Sequence, residues 1–539
     1  MKERVDVLVV GSGASATSAA YPLVRQGLSV LMLDVGNVDT QYSPLIPNAP
    51  FSELRRSDHQ QHRYFLGDEF EGIPFGKIRV GAQLTPPRGF IQKDTEALTP
   101  LRTTSFSGLE SLALGGLAAG WGGVAVQFDD QDLAGYPIKY RDLAPHYEAI
   151  SARIGISGAR DDLLPFYGDC SSLQPPLDLD SAGETILSRY EKKRQRLNRR
   201  GVYLGRPRLA ALSRPLGKRR GQEYRDMDYY TDVGQSVFRP AFAVEELQDL
   251  PNFRYMKPYL VERFAELGRG DGVQVHAKHT ETGSVETFRT RRLILAAGTL
   301  GTARIVLRSL DRYGTPVPVL ANPYTYVPCI NTAMLGKVAR DRRHSLTQLG
   351  FIFKPDASRE SSAYGQAYSY RSLLLFKLAK ESFLPVPAGF RISRELLNAF
   401  VIFGIHHEDR PSPEKHCVLC RRERGRDEGL EVNYRTDADT ERRQTRTEKA
   451  LLRGFRELGC WPIKRIRPGN GSSIHYGGTV PMAEEGGELT VTPSCRLRGT
   501  KSVYLADGSV LPYLPAKALT LTLMANAERV GTIVSEGLA

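Results

Sequence analysis

The hydrophobic pattern of the chain is clearest in its first forty residues. The run "VDVLVV" at 5–10 is rich in β-branched residues and is typical of a buried parallel strand. A helix-like segment, "TSAAYPLVRQG", follows it and closes at Gly27. The next apolar run, "LSVLMLD" at 28–34, predicts a second strand that ends on an acidic residue. The order of these segments predicts a strand–helix–strand unit.

The turn between the first strand and the helix, "GSGASA" at 11–16, has the spacing of a dinucleotide-binding turn. Gly11 permits a tight turn, Gly13 lets the backbone approach a pyrophosphate, and Ala16 allows the helix to pack closely on the strand. Asp34 follows about 20 residues later, where an acid accepts hydrogen bonds from an adenosine ribose. The sequence therefore predicts a dinucleotide site whose phosphates face the helix N-terminus.

Later segments repeat this order of strand, glycine turn and helix. "RRLILAAGTLGTARIVLRS" at 291–309 predicts a strand, a turn at Gly298 and a helix. Near the end of the chain, "SVYLADGSVLP" at 502–512 predicts a strand, and "ALTLTLMANAERVGTIVSEG" at 518–537 predicts a long amphipathic helix. Such elements occur at both ends and in the middle of the chain. We therefore expect one α/β domain assembled from separated segments, with a second domain inserted between them.

The remaining segments are less regular. Residues 35–105 are rich in Pro, Gly and charge, and are expected to form an irregular segment that covers the α/β domain rather than a domain of their own. The stretch "LALGGLAAGWGG" at 112–123 carries five glycines, which suits a backbone passing close to a flat ligand; a simple linker has the same composition. The pattern further predicts a helix at 137–155, strands at 253–267 and 272–279, and strands with charged turns at 315–460.

Composition bounds the protein class. A chain of 539 residues is expected to form two to four domains, and its hydrophobic content of 41% is ordinary for a globular protein. No apolar run reaches the ~18 residues that a membrane-spanning helix needs. The N-terminus superficially resembles a signal peptide, but Glu3 and Asp6 interrupt it, so a structural strand is the better interpretation. Six cysteines in so long a chain favour a reducing cytoplasm over a disulfide framework.

One cysteine pair raises the question of a metal. "HCVLC" at 416–420 contains a CxxC motif with His416 beside it, and a pair of histidines lies upstream at 406–407. A structural zinc site needs four ligands, and the sequence has no second CxxC. An exposed hairpin without metal is therefore the expectation.

The positive charge is concentrated in one segment. The chain carries a net charge of +13, and residues 189–226 hold fourteen Lys and Arg against three acids, a net +11. Such a basic strip can bind nucleic acid, anionic lipid or a phosphorylated substrate, and it can equally be a solvated surface. No nucleic-acid motif accompanies it, so nucleic acid is not expected as a partner.

Five motifs together resemble the glucose–methanol–choline (GMC) oxidoreductase family. They are "VVGSGASATSAA" with Asp34, "GGLAAGWGG", "LILAAGTLGTARIVLRS", "HYGGTVPM", and "VYLADGSVLP" with its following helix. The resemblance covers about half of the chain and implies an FAD enzyme with a Rossmann-like FAD-binding domain and an inserted α+β substrate domain with an antiparallel sheet. The FAD-binding domain is expected at 1–150, 250–314 and 465–539, and the substrate-binding domain at 151–249 and 315–464.

The resemblance also implies which residues bind FAD. Gly120 stands where some relatives carry a histidine that links FAD covalently, so a non-covalent cofactor is expected. Trp121 and the neighbouring glycines are expected along the flavin, and Val261 is expected to contact adenine through its backbone. The implied cofactor-binding residues are Gly11, Gly13, Ala16, Asp34, Gly115, Gly116, Trp121, Val261, Gly298, Asp507 and Gly508.

His475 is the implied catalytic residue. In the family pattern H-x-x-G-T-x-x-M this histidine accepts the proton of the substrate hydroxyl, and an imidazole with an ordinary pKa near 6.5 suits that role at neutral pH. Gly477 and Gly478 are expected to let substrate and flavin approach. The sequence departs from the family at Ala518, where most members place a second His or Asn; Lys517 precedes it.

The sequence leaves several functions open. The first is oxidation of a hydroxyl-bearing carbon of a sugar-like or polyol substrate, which the basic strip would suit if that substrate were anionic. The aromatic segment at 224–232 is a candidate carbohydrate contact, although core aromatics look the same. Because Ala518 lacks a polar group, a flavin-dependent isomerase, lyase or natural-product tailoring enzyme, or a catalytically decayed flavin-binding protein, remains an alternative. The electron acceptor is not indicated.

Overall fold

We analysed a computed structural model of the chain. It describes residues 4–72, 84–268, 271–337, 343–356, 362–369, 385, 387, 396–421 and 428–538. Within these ranges the protein is a mixed α/β structure with several sheets, including a six-stranded sheet that is antiparallel throughout.

The strands are short and spread along the whole chain. In chain order they are β1 (Val5–Val10), β2 (Val30–Leu33), β3 (Leu101–Arg102), β4 (Val202–Gly205), β5 (Phe253–Met256), β6 (Tyr259–Glu266), β7 (Val273–His279), β8 (Val285–Leu295), β9 (Pro316–Pro318), β10 (Leu320–Ala321), β11 (Tyr324–Asn331), β12 (Leu349–Phe353), β13 (Ala363–Ser369), β14 (Phe400–His407), β15 (Lys415–Cys420), β16 (Gly429–Tyr434), β17 (Cys460–Pro462), β18 (Tyr476–Gly477) and β19 (Val503–Leu505).

The α-helices alternate with these strands. They are α1 (Ala14–Arg25), α2 (Phe51–Ser57), α3 (Gln61–Leu66), α4 (Thr95–Leu98), α5 (Tyr140–Ile154), α6 (Leu164–Tyr167), α7 (Ser181–Asn198), α8 (Pro240–Gln248), α9 (Thr299–Ser309), α10 (Ala438–Glu457) and α11 (Thr520–Glu536). Short 3₁₀ turns connect several elements, including Gly116–Gly120 in the glycine-rich stretch.

The first sheet joins segments that are far apart in sequence. Its parallel part has the order β5-β2-β1-β8, and β19 pairs with β8 in parallel as well. The long strand β8 continues beyond this region and pairs with β7 in an antiparallel meander that ends at β6. The predicted unit of strand, helix and strand at 5–34 is therefore confirmed as β1–α1–β2. The predicted assembly of distant segments into one sheet is also observed.

Helix α1 packs against the last helix, α11, at very close range. A Cβ atom added at Gly531 would lie 2.2 Å from the carbonyl oxygen of Ala19, so only glycine allows this crossing. The fully buried strand residues of β1, β2 and β8 complete the core beneath α1. This packing fixes the N-terminus of α1 over the carboxyl ends of the parallel strands.

The antiparallel sheet has the order β17-β11-β14-β13-β12-β4. One of its faces packs on α7 and α10 through a cluster that includes Phe403 and Phe455, whose rings stack 3.9 Å apart. Because side chains alternate along a strand, the residues between these core positions point to the other face of the sheet. That second face is the one that reaches the candidate site.

The segment at 416–420 is one strand of an antiparallel pair with the next strand, β16, as a hairpin predicts, but it is not exposed. The segment forms β15 in the middle of a four-stranded sheet of order β3-β16-β15-β9, and Cys417 is fully buried. Cys420, three residues further along the same strand, faces the opposite side and is partly exposed. The two thiols therefore do not converge. Within the described ranges, no group of three or more His, Cys, Asp or Glu side chains is arranged to hold a metal ion.

The basic strip lies largely on the surface and is held by ion pairs. Arg194 pairs with Asp162, and Arg196 and Arg200 pair with Glu457 at the end of α10. These arginine side chains are more than half exposed. Exposed pairs of this kind contribute little stability, so the strip is mainly a solvated face of the structure.

None of the described helices combines the length and the apolar character that crossing a bilayer requires.

Candidate active site

A deep cavity of about 650 Å³ lies between the first sheet and the antiparallel sheet. The N-termini of α1, α9 and α11 all reach its wall. Each helix N-terminus presents unpaired backbone N–H groups and a partial positive charge, so this arrangement favours a ligand that carries anionic groups. The volume lies within the range of small-molecule and cofactor sites.

The glycine turn after β1 leaves open space at the cavity floor. Gly11 has φ +95°, and a Cβ atom there would lie 2.6 Å from the carbonyl oxygen of Ala296, so the turn itself requires glycine. Gly13 differs, because its backbone is ordinary (φ −69°) and an added Cβ atom would have only the Gly115 carbonyl near it, at 3.9 Å. Nothing within the described chain occupies the space beside Gly13. The absence of a side chain there leaves room for a pyrophosphate. This is the main observation in support of a fit between these residues and FAD.

Asp34 stands at the carboxyl end of β2, in the cavity wall. Its carboxylate accepts hydrogen bonds from the hydroxyls of Ser12 and Tyr255, the latter at 3.1 Å. Burial raises the pKa of Asp34 to about 6, although both hydroxyls oppose that rise. Val261, on β6, lines the same part of the cavity, next to a β-bulge. An acid and an exposed backbone edge therefore flank the space where the resemblance places adenosine.

Asp507 organises the opposite side of the cavity. Its carboxylate accepts hydrogen bonds from the Thr302 hydroxyl of α9, at 2.5 Å, and from the Ser509 backbone N–H, at 2.9 Å. A Cβ atom at Gly508 would lie 2.4 Å from the carbonyl oxygen of Tyr476, the residue that follows His475. Asp507 and Gly508 thus tie the N-terminus of α9 to β18, the strand that directly follows His475.

The glycine-rich stretch forms a third wall. Gly115, Gly116 and Trp121 all line the cavity, and the Trp121 indole N–H donates to the Phe238 carbonyl at 2.7 Å, which fixes the ring. A Cβ atom at Gly120 would lie 2.6 Å from Ile91, so this position has little room for a histidine. Gly298, another of the implied cofactor residues, stands in the cavity wall at the N-terminus of α9.

Ala16 is the implied cofactor residue that lies elsewhere. It is fully buried in the core, and its neighbour Ser15 reaches the cavity instead. Ala16 is the third residue of α1, and its side chain is turned towards the sheet. It therefore allows the helix to pack closely on the strand and does not contact the cavity. This corrects its expected contact with the pyrophosphate.

His475 lies in the cavity wall just before β18, and its hydrogen bonding identifies its tautomer. The side-chain NH₂ of Asn322 donates to the carbonyl oxygens of His407, at 2.8 Å, and Pro515, at 2.9 Å. The remaining side-chain atom of Asn322, Oδ1, is therefore an acceptor, and it lies 3.3 Å from Nδ1 of His475. Nδ1 must then carry the proton, which leaves the lone pair on Nε2.

The two glycines after His475 have a packing role. A Cβ atom at Gly477 would lie 2.8 Å from Leu514, and one at Gly478, where φ is +88°, would lie 2.8 Å from Leu320. Neither glycine belongs to the cavity wall. The expectation that they make room for substrate and flavin is therefore wrong, because they instead allow β18 to pack tightly between β10 and the following loop.

The environment of His475 keeps its imidazole neutral. Burial lowers the pKa of His475 from its ordinary 6.5 to about 4. A buried imidazole of this kind is unprotonated over the whole neutral range, so it is available as a proton acceptor without titrating near pH 7.

The pH dependence of the site follows from this shift. The folded pKa lies below the unfolded value, so the unfolded chain takes up a proton first as the pH falls. The contribution of His475 to stability is therefore fully present above pH 6.5 and is lost between 6.5 and about 4.

We expect the rate of substrate-dependent flavin reduction to stay level down to about pH 5 and to fall as pH approaches 4. Stopped-flow reduction measured across this range tests it, and an acid limb centred at 6.5 would contradict it.

Ala518 lies in the cavity wall two residues before the start of α11, and only 3% of it is exposed. Lys517 does not supply the missing polar group. Its ammonium is buried and forms ion pairs with Asp129, at 2.8 Å, and Asp132, at 2.5 Å. The position that carries a second His or Asn in the resembling family is therefore apolar here.

The antiparallel sheet covers the cavity with a face that the sequence reasoning did not identify. Cross-strand neighbours form rows on this face, with Tyr324 beside His406 and Tyr326 beside Gly404 and Gln366. Further along, Tyr368 lines the same wall. The alternation of polar and aromatic residues in β11 and β13 was the available signal. The segment 224–232, the candidate carbohydrate contact, reaches the cavity through Asp226, Tyr229 and Tyr230, and its contact with a carbohydrate stays a prediction.

The basic strip, by contrast, contributes only Asp226 to the described cavity wall. The strip is therefore not placed to contact a substrate at His475. A role towards another anionic surface stays a prediction.

Comparison with known proteins now adds to this geometry. Residues 433–527 match the family model described as GMC oxidoreductase. The chain is 23% identical to the paromamine 6'-oxidase of Streptomyces fradiae and 24% identical to the 6'''-hydroxyparomomycin C oxidase of Streptomyces lividus. Each alignment covers 99% of this chain and 92% of the relative. The family match over 433–527 and these full-length similarities support an FAD-dependent oxidoreductase of the GMC type that acts on CH–OH groups.

Proposed function

We propose that the protein oxidises a hydroxyl-bearing carbon of a sugar-like substrate, with His475 as the base that accepts the hydroxyl proton. The observation that carries the proposal is the tautomer set by Asn322, which leaves the Nε2 lone pair available. Nε2 has no hydrogen-bond partner within the part of the chain that is described, and the ring stands in the same cavity as the glycine turn. The two relatives, named as oxidases of paromamine and of a hydroxyparomomycin, support a sugar-like substrate.

The residues that would hold FAD lie on three sides of the cavity. Gly11, Gly13 and the N-terminus of α1 are placed to bind the pyrophosphate, and Asp34 is placed to bind the ribose. The flavin end would lie towards the residues that approach His475, namely Gly115, Gly116, Trp121, Gly298, Asp507 and Gly508. When bound, FAD supplies an acceptor for the hydride that leaves the substrate carbon.

The chain's own residues supply the proton transfer. Removal of the hydroxyl proton by Nε2 of His475 makes the substrate a better hydride donor, because the alkoxide releases hydride more readily than the alcohol. Asn322 keeps the proton on Nδ1 throughout the approach of substrate, and its own amide is anchored at both donors.

The division into domains follows the same proposal. The segments 1–150, 250–314 and 465–539 would bind FAD, and 151–249 and 315–464 would bind substrate. The sheets support this division in part, since β4 joins the antiparallel sheet although it is distant in sequence from β11–β14. Helix α8, from the first substrate segment, instead packs on α1 and β5. The boundary of that segment would therefore lie before α8.

Purification provides the first experiment. The protein is expected to carry a yellow, non-covalently bound flavin, because Gly120 offers no linking group and little room for one. Acid precipitation should release the colour into the supernatant. Anaerobic addition of paromamine or of another sugar alcohol should then bleach the flavin. Colour that stays in the pellet would contradict the non-covalent cofactor, and a flavin that no such substrate bleaches would contradict the proposed oxidation.

The missing polar group at Ala518 leads to a separate prediction. Ala518 packs in a buried cluster with Tyr364 and other apolar residues and also lines the cavity, so an added amide would enter space that the substrate would occupy. We expect Ala518→Asn to slow flavin reduction by paromamine about 10-fold, the equivalent of about 1.4 kcal/mol of lost substrate binding, and Ala518→Ser to have a smaller effect. Rapid-kinetic reduction of both variants measures this. Faster reduction in Ala518→Asn would instead mean that the chain has simply lost the second polar group.

A further inference from the structure

His406 is a buried histidine without a hydrogen-bond partner at Nδ1. It lies on β14, only 6% of it is exposed, and it belongs to the cavity wall. Its Nδ1 finds no donor or acceptor among the described residues. A buried polar atom left unpaired is costly, so its persistence in a functional cavity points to a partner that arrives with a ligand.

The neighbours of His406 explain why its ring is held in place. The ring of Tyr324, directly opposite on β11, lies 4.3 Å away, and that of Tyr364, opposite on β13, lies 6.0 Å away. Both neighbours pack on the imidazole without a hydrogen bond to it. Burial, together with the nearby His475 and His407, lowers the pKa of His406 well below its ordinary value, so the ring is neutral and offers one donor and one acceptor.

The relation of His406 to the candidate base limits what it can bind. The two imidazole rings stack with their centroids 4.9 Å apart and their planes inclined by 17°. Hydrogen bonds of ring nitrogens lie close to the ring plane. Two nearly parallel rings at this spacing therefore direct their hydrogen bonds to two different atoms, and they do not meet on a single oxygen.

We propose that His406 is a substrate-binding residue that holds a second polar group, on the neighbouring or next-but-one carbon from the hydroxyl that His475 deprotonates. The proposal rests on the proposed function and deepens it. It makes the site selective for substrates that present two closely spaced polar groups, as sugars and polyols do, over alcohols with one hydroxyl. The second contact then comes from β14 of the antiparallel sheet, while the wall at Ala518 stays apolar.

Three variants separate this role from a structural one. His406→Phe keeps an aromatic ring for packing and removes both nitrogens, whereas His406→Gln keeps a donor and an acceptor. The matched control is His416→Phe, a strand histidine on β15 whose Nδ1 lies 2.8 Å from the Pro413 carbonyl oxygen and which is not part of the described cavity wall. FAD content and thermal melting of each purified holoenzyme establish whether the fold is retained.

The measurement is anaerobic flavin reduction by paromamine, 1-hexanol, 1,2-hexanediol and 1,3-hexanediol. We expect the parent to be reduced faster by paromamine and by at least one diol than by 1-hexanol. His406→Phe should lower the second-order rate constant for paromamine and for the preferred diol about 10- to 100-fold, and that for 1-hexanol by a clearly smaller factor. His406→Gln should recover part of that loss, and His416→Phe should match the parent.

Two results would overturn the proposal. One is a His406→Phe enzyme that keeps the parent's rate constants for paromamine and the diols. The other is an equal loss for diols and 1-hexanol, which would make the effect structural. If His406→Phe does not fold, His406→Gln is measured in its place. The parent's full preference for diols over 1-hexanol, or an equal loss for both kinds of substrate, would then overturn the proposal. His475→Ala distinguishes this failure from failure of the proposed function. Loss of reduction in His475→Ala with no effect at His406 removes only the present proposal, whereas unaltered reduction in His475→Ala removes both.

Discussion

Replacing His475 by alanine is expected to slow flavin reduction by about 10²–10⁴-fold, the usual contribution of a positioned general base, while FAD stays bound. The reason is local. The Nε2 lone pair of His475 faces the reaction through a tautomer that Asn322 imposes from 3.3 Å, and no other described histidine is held in this way at the cavity. Stopped-flow reduction under anaerobic conditions measures the loss.

The control for this variant is His416→Ala, which removes a strand histidine that is not part of the described cavity wall. It should be reduced at the parent's rate. FAD content should be the same in both variants, because we propose that His475 lies near the flavin end and that Gly11 and Gly13 hold the pyrophosphate. Equal rates in His475→Ala and the parent would mean that the histidine is only a loop residue.

Replacing Gly13 by alanine is expected to weaken FAD binding about 10- to 100-fold without destabilising the protein that lacks FAD. The backbone of Gly13 is extended, so alanine can adopt it, and the added methyl group would meet only the Gly115 carbonyl, at 3.9 Å. The methyl group would instead occupy the space in which we place the pyrophosphate. Titration of the apoprotein with FAD, followed by flavin fluorescence, gives the affinity.

Gly11→Ala is the matched comparison. There φ is +95° and the new methyl group would lie 2.6 Å from the Ala296 carbonyl oxygen, so the variant should lower the free energy of unfolding of the apoprotein by about 1–3 kcal/mol. Chemical denaturation distinguishes the two glycines. FAD affinity that is unchanged in Gly13→Ala would contradict the placement of the pyrophosphate at this turn.

The elements nearest the cofactor site could be predicted from sequence because their signals are local. The β-branched run at 5–10, the glycine turn and the acid at Asp34 form one continuous stretch, and β1, α1 and β2 appear where the pattern predicts them. The helix at 137–155 and the strand–turn–helix at 291–309 were predicted for the same reason, and they correspond to α5 and to β8 with α9.

The contacts around His475 could not be predicted in this way, because they depend on pairing between distant strands. Asn322 approaches His475 from 153 residues away in the chain. His406 reaches the cavity only because β14 places it opposite Tyr324 and Tyr364, and the next residue, His407, faces the other side of the sheet towards Glu448. In the sequence the two adjacent histidines suggested only a metal ligand.

Two glycine interpretations failed for a related physical reason. A glycine in the sequence can mark a position where a side chain would collide, but the sequence does not say which neighbouring residue it would meet. At Gly477 and Gly478 the obstacles are Leu514 and Leu320, so these glycines serve packing. At Gly13 almost nothing lies near the missing side chain, and the open space is the signal of a ligand.

The most direct measurement of the central claim is an anaerobic titration of the purified protein with paromamine, carried out in parallel on the parent and on His475→Ala. The visible flavin absorbance is recorded together with the carbonyl product. We predict that the parent's flavin is bleached with one equivalent of carbonyl formed per flavin, and that the His475→Ala flavin stays oxidised over the same time. A parent flavin that remains oxidised with paromamine and other sugar alcohols, or a His475→Ala flavin bleached as fast as the parent's, would contradict the account.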